Sequence, residues 1–248
     1  MSIDDDRDLQ GLRAAGRVVR ETLDAMRAAV APGVSTAELD AIAAGVFREH
    51  GARSAPRLVY DFPGETCISL NDEVVHGIPS AARRLAEGDL VKLDVTVEKD
   101  GYMADAAVTC AVGRVSERAR RLIACAETAF RRALREVRAG RRVCDVGGAV
   151  EGEVVRRGFS VVRSLTGHGI GRTIHEDPMV PNWFDPTARA WLTEGLVITV
   201  EPIIAMGSGD AHEADDGWTI RTNDGSLAAH FEHTLVVTRG QPLLLTAA

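Results

Sequence analysis

The stretch VKLDVTVEKDGYMADAAVT, residues 91–109, predicts a β-hairpin that carries two aspartates where a core would be expected. Its first strand alternates apolar residues at odd positions with polar residues at even positions, the period of a strand with one buried face. Asp100–Gly101 is a two-residue turn signal. A hairpin with this turn places Asp105 opposite Thr96. Asp94 and Asp105 then become diagonal neighbours on one face, with Cβ atoms roughly 7 Å apart.

Two ionised carboxylates at that separation repel each other unless a proton or a cation lies between them. Taken alone, two such aspartates would more often be solvent-facing strand residues. Two further acids favour the cation, because LVITVEP places Glu201 at the end of an apolar strand and AHFEHTLVVT places Glu232 inside another. Glutamate is a poor strand former, and each of these two breaks what would otherwise be a core strand. Four acids in four β segments therefore predict one cluster around a pair of divalent metal ions.

The segment SLTGHGIGRTIHEDP supplies a nitrogen ligand for such a cluster. Glycines on both sides of His168 indicate a close backbone approach or a positive φ angle. A lone histidine is more often structural, but one flanked by glycines and accompanied by four misplaced carboxylates is a metal-ligand candidate. His175 follows seven residues later. The glycine spacing does not fit a dinucleotide-binding loop, so a nucleotide site is a weaker interpretation.

Helical patterns on both sides of the hairpin predict an internal repeat. Apolar residues at helical spacing predict a helix over 8–30, and Ser35 with Glu38 forms a capping box that opens a second helix ending at Gly51. A similar pair is predicted over 116–138 and 145–157. Each pair leads into strand-rich sequence. We therefore predict an α+β chain of two pseudo-symmetric halves, each a helix pair plus a sheet, around a central cleft, in a single domain over 1–248.

Composition excludes several function classes. The 248 residues carry a formal charge of −7, which argues against a dedicated nucleic-acid partner, and the local arginine clusters are interleaved with glutamates. The four cysteines lack CxxC spacing, as expected for reduced thiols rather than disulfides or a zinc finger. The acidic start MSIDDDRDLQ is no signal peptide, and no apolar run reaches membrane-spanning length. These features predict a cytoplasmic protein with no membrane contact.

Five motifs, in order over nearly the whole chain, resemble those of type I methionine aminopeptidases: CISLNDEVVHGIP, VKLDVTVEKDGYMADAAV, GHGIGRTIHEDP, TVEPII and GWTIRTNDGSLAAHFEHTLVVT. The resemblance implies the pita-bread fold of the creatinase/aminopeptidase group, with the two halves around a metal cleft. It implies removal of N-terminal methionine from nascent proteins and peptides with a small second residue. It also implies a monomer that works near the ribosome.

The resemblance further implies roles for individual residues around two divalent ions, Co, Mn, Fe or Zn. In the family pattern Asp94 binds one ion, His168 and Glu201 bind the other, and Asp105 and Glu232 bridge. Glu201 is also the expected proton shuttle. The other expected substrate contacts are His76 at the scissile peptide, His175 at the oxyanion, and Phe62, Cys67 and Trp218 around the methionine side chain.

The sequence departs from the family pattern near the site. Ala104 and Ala106 flank Asp105 where glycine and threonine are common, Ile174 replaces a usual aromatic residue, and His230 replaces a usual glutamine. An X-Pro aminopeptidase of the same fold is an alternative, although those relatives usually carry an additional N-terminal domain. A catalytically silent binding protein of this fold is the other alternative, and it would be expected to have lost metal ligands.

Overall fold

The computed structural model describes residues 1–247, and within them the chain forms five helices and fifteen strands. The helices are α1 Asp6–Ala29, α2 Thr36–His50, α3 Ala55–Tyr60, α4 Glu117–Ala133 and α5 Val143–Arg156. The strands are β1 Arg53–Ser54, β2 Cys67–Leu70, β3 Glu73–Val75, β4 Leu90–Lys99, β5 Tyr102–Ala111, β6 Ser160–Val161, β7 Thr166–Gly169, β8 Glu176–Pro181, β9 Val197–Val200, β10 Ile203–Ala205, β11 Ala211–Glu213, β12 Ile220–Thr222, β13 Ala228–His230, β14 His233–Val236 and β15 Leu243–Leu244.

The predicted hairpin is confirmed as β4 and β5. Thr96 pairs with Asp105 and Asp94 with Ala107, in the predicted register. The turn residues, Asp100 and Gly101, have φ angles of 51° and 83°, as a tight two-residue hairpin turn requires. Both aspartates therefore lie on strands whose ladder is uninterrupted.

The four predicted helices are confirmed, with shifted ends. Ser35 and Glu38 form the predicted capping box of α2, and Gly51 ends that helix in the left-handed conformation. The largest error is at the end of α4, which stops at Ala133 rather than at residue 138. Beyond it, the Ala139 N–H donates to the carbonyl of Thr238 at 2.8 Å, so tertiary contacts replace helical hydrogen bonds.

The two helix pairs cover two different sheets, as the repeat predicts. Helices α1 and α2 pack on the hairpin sheet, in which β4 pairs with β1, β2 and β5. Helices α4 and α5 share a second core with the five-stranded sheet ordered β15-β14-β9-β7-β8. Two small sheets, β13-β10-β6 and β11-β12-β3, complete the chain.

Strand β5 joins the two halves directly. Ala107 and Glu232 exchange backbone hydrogen bonds, with N–O distances of 2.9 and 3.3 Å. Beside this pair, the Thr234 hydroxyl accepts from the N–H of Asp105 and donates to its carbonyl, both at 2.8 Å. Thr109 makes the same two bonds with the backbone of residue 230. The threonine hydroxyls thus replace direct backbone pairs and set the spacing between the halves.

Candidate metal centre and active site

A cavity of about 160 Å³ lies between the halves, and all ten residues singled out from the sequence line it. They are His76, Asp94, Asp105, His168, His175, Glu201, Glu232, Phe62, Cys67 and Trp218. Ile174 and His230, at two of the positions that depart from the family pattern, line the same cavity. The structure therefore brings the whole predicted set together, whereas the individual roles remain predictions.

Two of the four acids that line the cavity lie within strands, and the other two lie just outside strand ends. Asp94 and Asp105 lie within β4 and β5, and Glu201 directly follows β9, as its position at the end of an apolar run indicates. The expectation that Glu232 lies inside a strand is wrong, because it falls in the break between β13 and β14. That break frees its backbone to pair with Ala107 of the other half.

Ligand atoms converge on one point of the cavity. Asp105, His168 and Glu232 each offer one ligand atom, and these atoms lie within 4.8 Å of one another. His168 Nε2 is 3.6 Å from Glu201 Oε2. The mixture of carboxylate oxygens and one imidazole suits a divalent first-row transition ion better than a structural zinc site rich in thiolates.

Burial shifts the pKa of every acid in this cluster upward. Burial raises the pKa of Asp105 to about 6 and the pKa of Glu201 to about 8. Burial, reinforced by the other carboxylates, holds the pKa of Asp94 and of Glu232 well above the usual range. Without a bound cation, the four carboxyl groups cannot easily be ionised at the same time. A divalent cation bound among them would stabilise their ionised form.

Two oxygens of the cluster make the fit to metal ions specific. Within residues 1–247, Asp105 Oδ1 and Glu232 Oε1 are buried and have no hydrogen-bond partner. Buried oxygens without partners are rare, and a metal ion would satisfy both. Burial also lowers the pKa of His168 to about 3, so its imidazole is neutral at physiological pH, as a metal ligand must be.

Thr199 and Asn182 support the cluster, and neither was identified from the sequence. The Thr199 hydroxyl donates to Glu201 Oε2 at 2.6 Å and accepts from the His168 N–H at 3.0 Å. Asn182 donates to the Glu201 carbonyl at 2.9 Å. The sequence does offer a signal for Thr199, which lies two residues before Glu201 in LVITVEP. No local pattern identifies Asn182, because tertiary folding brings it next to Glu201.

His175 is oriented by Tyr60, a residue of α3 from the other half of the chain. The Tyr60 hydroxyl is 2.6 Å from His175 Nδ1. Partial burial raises the pKa of Tyr60, so its hydroxyl is protonated at physiological pH. When this hydroxyl donates to Nδ1, the ring proton of neutral His175 lies on Nε2. The rings of His168 and His175 have centroids 4.3 Å apart, so the His175 ring lies beside a proposed metal ligand.

The remaining wall of the cavity is apolar. Phe62 and Trp218 meet edge to face with ring centroids 5.1 Å apart. Cys67 pairs with Asp94 across β2 and β4, and burial raises the pKa of its thiol, which therefore stays neutral. Two aromatic rings and a neutral thiol suit an unbranched apolar side chain, and sulfur–aromatic contacts favour a thioether.

Comparisons with known proteins agree with this geometry. The model of metallopeptidase family M24 matches residues 10–239. Methionine aminopeptidase 2 of Bacillus subtilis is 44% identical over 99% of both chains, and a methionine aminopeptidase of Clostridium perfringens is 40% identical over 97% of this chain and 96% of its own.

The solved structures give the same result for the fold. A methionine aminopeptidase of Thermotoga maritima covers both chains fully with a TM-score of 0.97 and 33% identity. Prolidase from Pyrococcus furiosus shares the fold at a TM-score of 0.80 and 21% identity, over 99% of this chain and 65% of its own. The predicted pita-bread fold is confirmed.

Proposed function

The chain belongs to metallopeptidase family M24, and we propose that it is a methionine aminopeptidase whose active site is the carboxylate cluster described above. It removes N-terminal methionine, the activity named for full-length relatives at 40–44% identity. The observation that carries the site assignment is the convergence of five potential ligands and an apolar pocket on one cavity. We further propose that its preferred substrates have a small second residue.

We propose two divalent ions, Mn, Fe, Co or Zn, held by residues from both halves. Asp94 would hold one ion, His168 and Glu201 the other, and Asp105 and Glu232 would bridge. The two buried oxygens without partners belong to Asp105 and Glu232, the two proposed bridging residues, which supports both as ligands. When bound, such ions lower the pKa of water and polarise the substrate carbonyl.

The protein's own side chains would move and place the remaining charges. Glu201 would take a proton from water and deliver it to the leaving amine, and the Thr199 hydroxyl, which donates to its Oε2 at 2.6 Å, would hold the carboxyl group in place for this transfer. With Tyr60 donating to its Nδ1, His175 would present Nε2–H as a donor for the developing oxyanion. Burial lowers the pKa of His76 to about 4, so it contacts the scissile peptide as a neutral ring.

Side-chain preference would arise in the apolar part of the cavity. Phe62, Trp218 and Cys67 would enclose the methionine thioether. His230 lies on the same wall; its Nε2 is 3.3 Å from Glu232 Oε2, and within the described chain its buried Nδ1 has no hydrogen-bond partner. A polar group without a partner in this pocket distinguishes it from a wholly apolar one.

The purified protein, loaded with Mn²⁺ or Co²⁺, should release methionine from Met-Ala-Ser and Met-Gly peptides. Glu201→Gln should abolish release while the circular dichroism spectrum stays unchanged. Glu213→Gln, which changes an exposed glutamate of β11, is the matched control. Equal inactivity of metal-free and metal-loaded protein across a peptide panel would favour a silent binding protein, and preferential cleavage of X-Pro peptides would favour an X-Pro aminopeptidase.

We also propose that residues 1–248 act as one catalytic domain, as a monomer in the cytoplasm, on nascent chains near the ribosome. All four cysteines are free thiols, in agreement with a reducing compartment. No helix within residues 1–247 combines the length and apolar character needed to cross a bilayer. Light scattering should give a mass near 26.6 kDa, and co-sedimentation tests ribosome association.

A further inference from the structure

A second groove opens from the active-site cavity, and the residues that line the groove alone have no role in the chemistry described above. It is lined by eight residues, and four of them also line the cavity. The shared residues are Leu165, Thr166, His168 and His175, and those found in the groove alone are Ser164, Glu176, Asp177 and Met179. The groove is therefore continuous with the side of the cavity formed by His168 and His175.

The outer wall of this groove is formed by an edge strand of the five-stranded sheet. Strand β8 is the last strand in the order β15-β14-β9-β7-β8. Val180, near its far end, is buried, and α5 packs against this part of the strand, whereas Asp177 and Met179 are exposed to solvent. Met179 is 65% exposed, so its side chain is available for contact with a ligand in the groove.

The two acids of the groove differ in what they already bind. Glu176 is occupied, because it contacts the amino group of Met1 and accepts from the backbone N–H groups of Arg172 and Thr173 at 2.7 and 2.9 Å. Asp177 is the acid exposed to solvent. The groove thus offers an apolar surface on Leu165 and Met179 and one available negative charge beside it.

We propose that this groove binds the substrate residues that follow the cleaved methionine, with the third residue on Leu165 and Met179 and a basic fourth residue beside Asp177. The proposal rests on the proposed function, since the occupant is the peptide whose first residue fills the cavity. An extended peptide advances about 3.3 Å per residue, so residues three and four lie beyond the cavity and within reach of a groove that begins at its histidines. The enzyme would then prefer an apolar and then a basic residue after the small second residue.

The test compares two pentapeptides with the same first two residues, Met-Ala-Leu-Lys-Gly and Met-Ala-Ser-Asp-Gly, on the metal-loaded full-length enzyme. Burying a leucine side chain in part and forming one exposed ion pair should together favour the first peptide about tenfold in kcat/KM. Met179→Ser should reduce this ratio to about threefold by removing the apolar contact, and Asp177→Asn should reduce it by a smaller factor.

Val155→Ser provides the matched control, because Val155 lies on α5 outside the groove and is 62% exposed, close to the exposure of Met179. It should leave the tenfold ratio unchanged. A ratio near one in the wild-type enzyme, or a ratio that survives both Met179→Ser and Asp177→Asn, would overturn the groove assignment. Cleavage of Met-Ala-Ser in the same experiment would show that the proposed function still stands, whereas inactivity on all three peptides would overturn both.

Discussion

The two halves of the molecule supply the same chemistry from different backbones. In the first half, β4 and β5 are each ten residues long and pair without interruption, and they present Asp94 and Asp105 on one face. In the second half, the equivalent ladder pairs Val200 with His233 and Ile203 with His230 but is open between them. Glu201 and Glu232 lie in that opening.

This difference shows how a cluster of like charges is held in place. The hairpin fixes its own aspartates through regular pairing. The second half instead attaches its broken ladder to the hairpin, through the backbone pair between Glu232 and Ala107 and the hydroxyl of Thr234. The position of Glu232 therefore depends on contacts with the hairpin of the first half.

The largest expected effect tests whether both halves are needed. Asp105→Asn and Glu232→Gln each remove one proposed bridging ligand, one from each half. Either change should lower kcat/KM roughly a thousandfold or more, beyond the 10- to 100-fold typical of residues outside the ligand set. Metal analysis should show reduced ion content in both variants, whereas retention of activity in one would mean that the halves do not share the ions.

A second prediction concerns how the stability of the metal-free protein depends on pH. In the metal-free protein burial raises the pKa of Glu201 from 4.5 to about 8, above the value of about 6 for Asp105. At Glu201 the folded state therefore binds more protons than the unfolded state between pH 4.5 and pH 8, and stability falls as pH rises through that range. Lowered histidine pKa values, such as about 3 for His168, oppose this trend below the unfolded histidine value of 6.5, and the pKa of Lys92, which burial lowers to about 7, opposes it in part above pH 7.

Urea unfolding of the metal-free protein should therefore show a free energy of unfolding that decreases between pH 6.5 and pH 8. Glu201→Gln should reduce this slope without abolishing it, because Asp94 and Glu232 keep their raised pKa values, and Glu213→Gln should leave it unchanged. Added Mn²⁺ should flatten it, because a bound cation favours the ionised carboxylates. A slope that is unchanged in Glu201→Gln would assign the pH dependence to other groups.

The sequence was sufficient for the first half of the site and only partly for the second. Period-two alternation and the Asp100–Gly101 turn determine the register of β4 and β5, so the diagonal placement of Asp94 and Asp105 follows from local rules. The break at Glu232 depends on pairing with Ala107, which is 125 residues away in sequence, and no local pattern encodes it. The position of Tyr60 beside His175 is likewise a product of tertiary folding.

Thr234 and Thr109, whose hydroxyls connect the backbones of the two halves, allow two matched substitutions. Thr234→Val and Thr109→Val each leave a buried N–H and a buried carbonyl without partners, which should cost about 1–3 kcal/mol of stability in either case. Only Thr234 bonds to the backbone of Asp105. Thr234→Val should therefore also lower kcat, and Thr109→Val should lower it less; equal losses would indicate a general effect of destabilisation.

A smaller effect is expected at the contact between Tyr60 and His175, which also joins the halves. Tyr60→Phe keeps the ring but removes the hydroxyl that orients the imidazole at 2.6 Å. Loss of one positioning hydrogen bond should lower kcat about tenfold with little change in KM, since the bond acts on a group that meets the developing oxyanion. Val59→Ala, on the exposed side of the same helix, is the control. A rise in KM alone would indicate a binding role instead.

The smallest expected effect concerns the N-terminus of the second helix in each pair, α2 and α5. Helix α2 has a complete capping box, in which Ser35 accepts from the Glu38 N–H and Glu38 accepts from the Ser35 N–H. Helix α5 follows Arg142, whose side chain has no acceptor, so only the return bond to Asp145 forms, at 3.2 Å. Ser35→Ala would give α2 the weaker start of α5, at a cost of about 1 kcal/mol in thermal or urea unfolding. Activity should not change, because α2 contributes no residue to the cavity; a loss of activity would mean that the helix layer of the first half positions the hairpin beneath it.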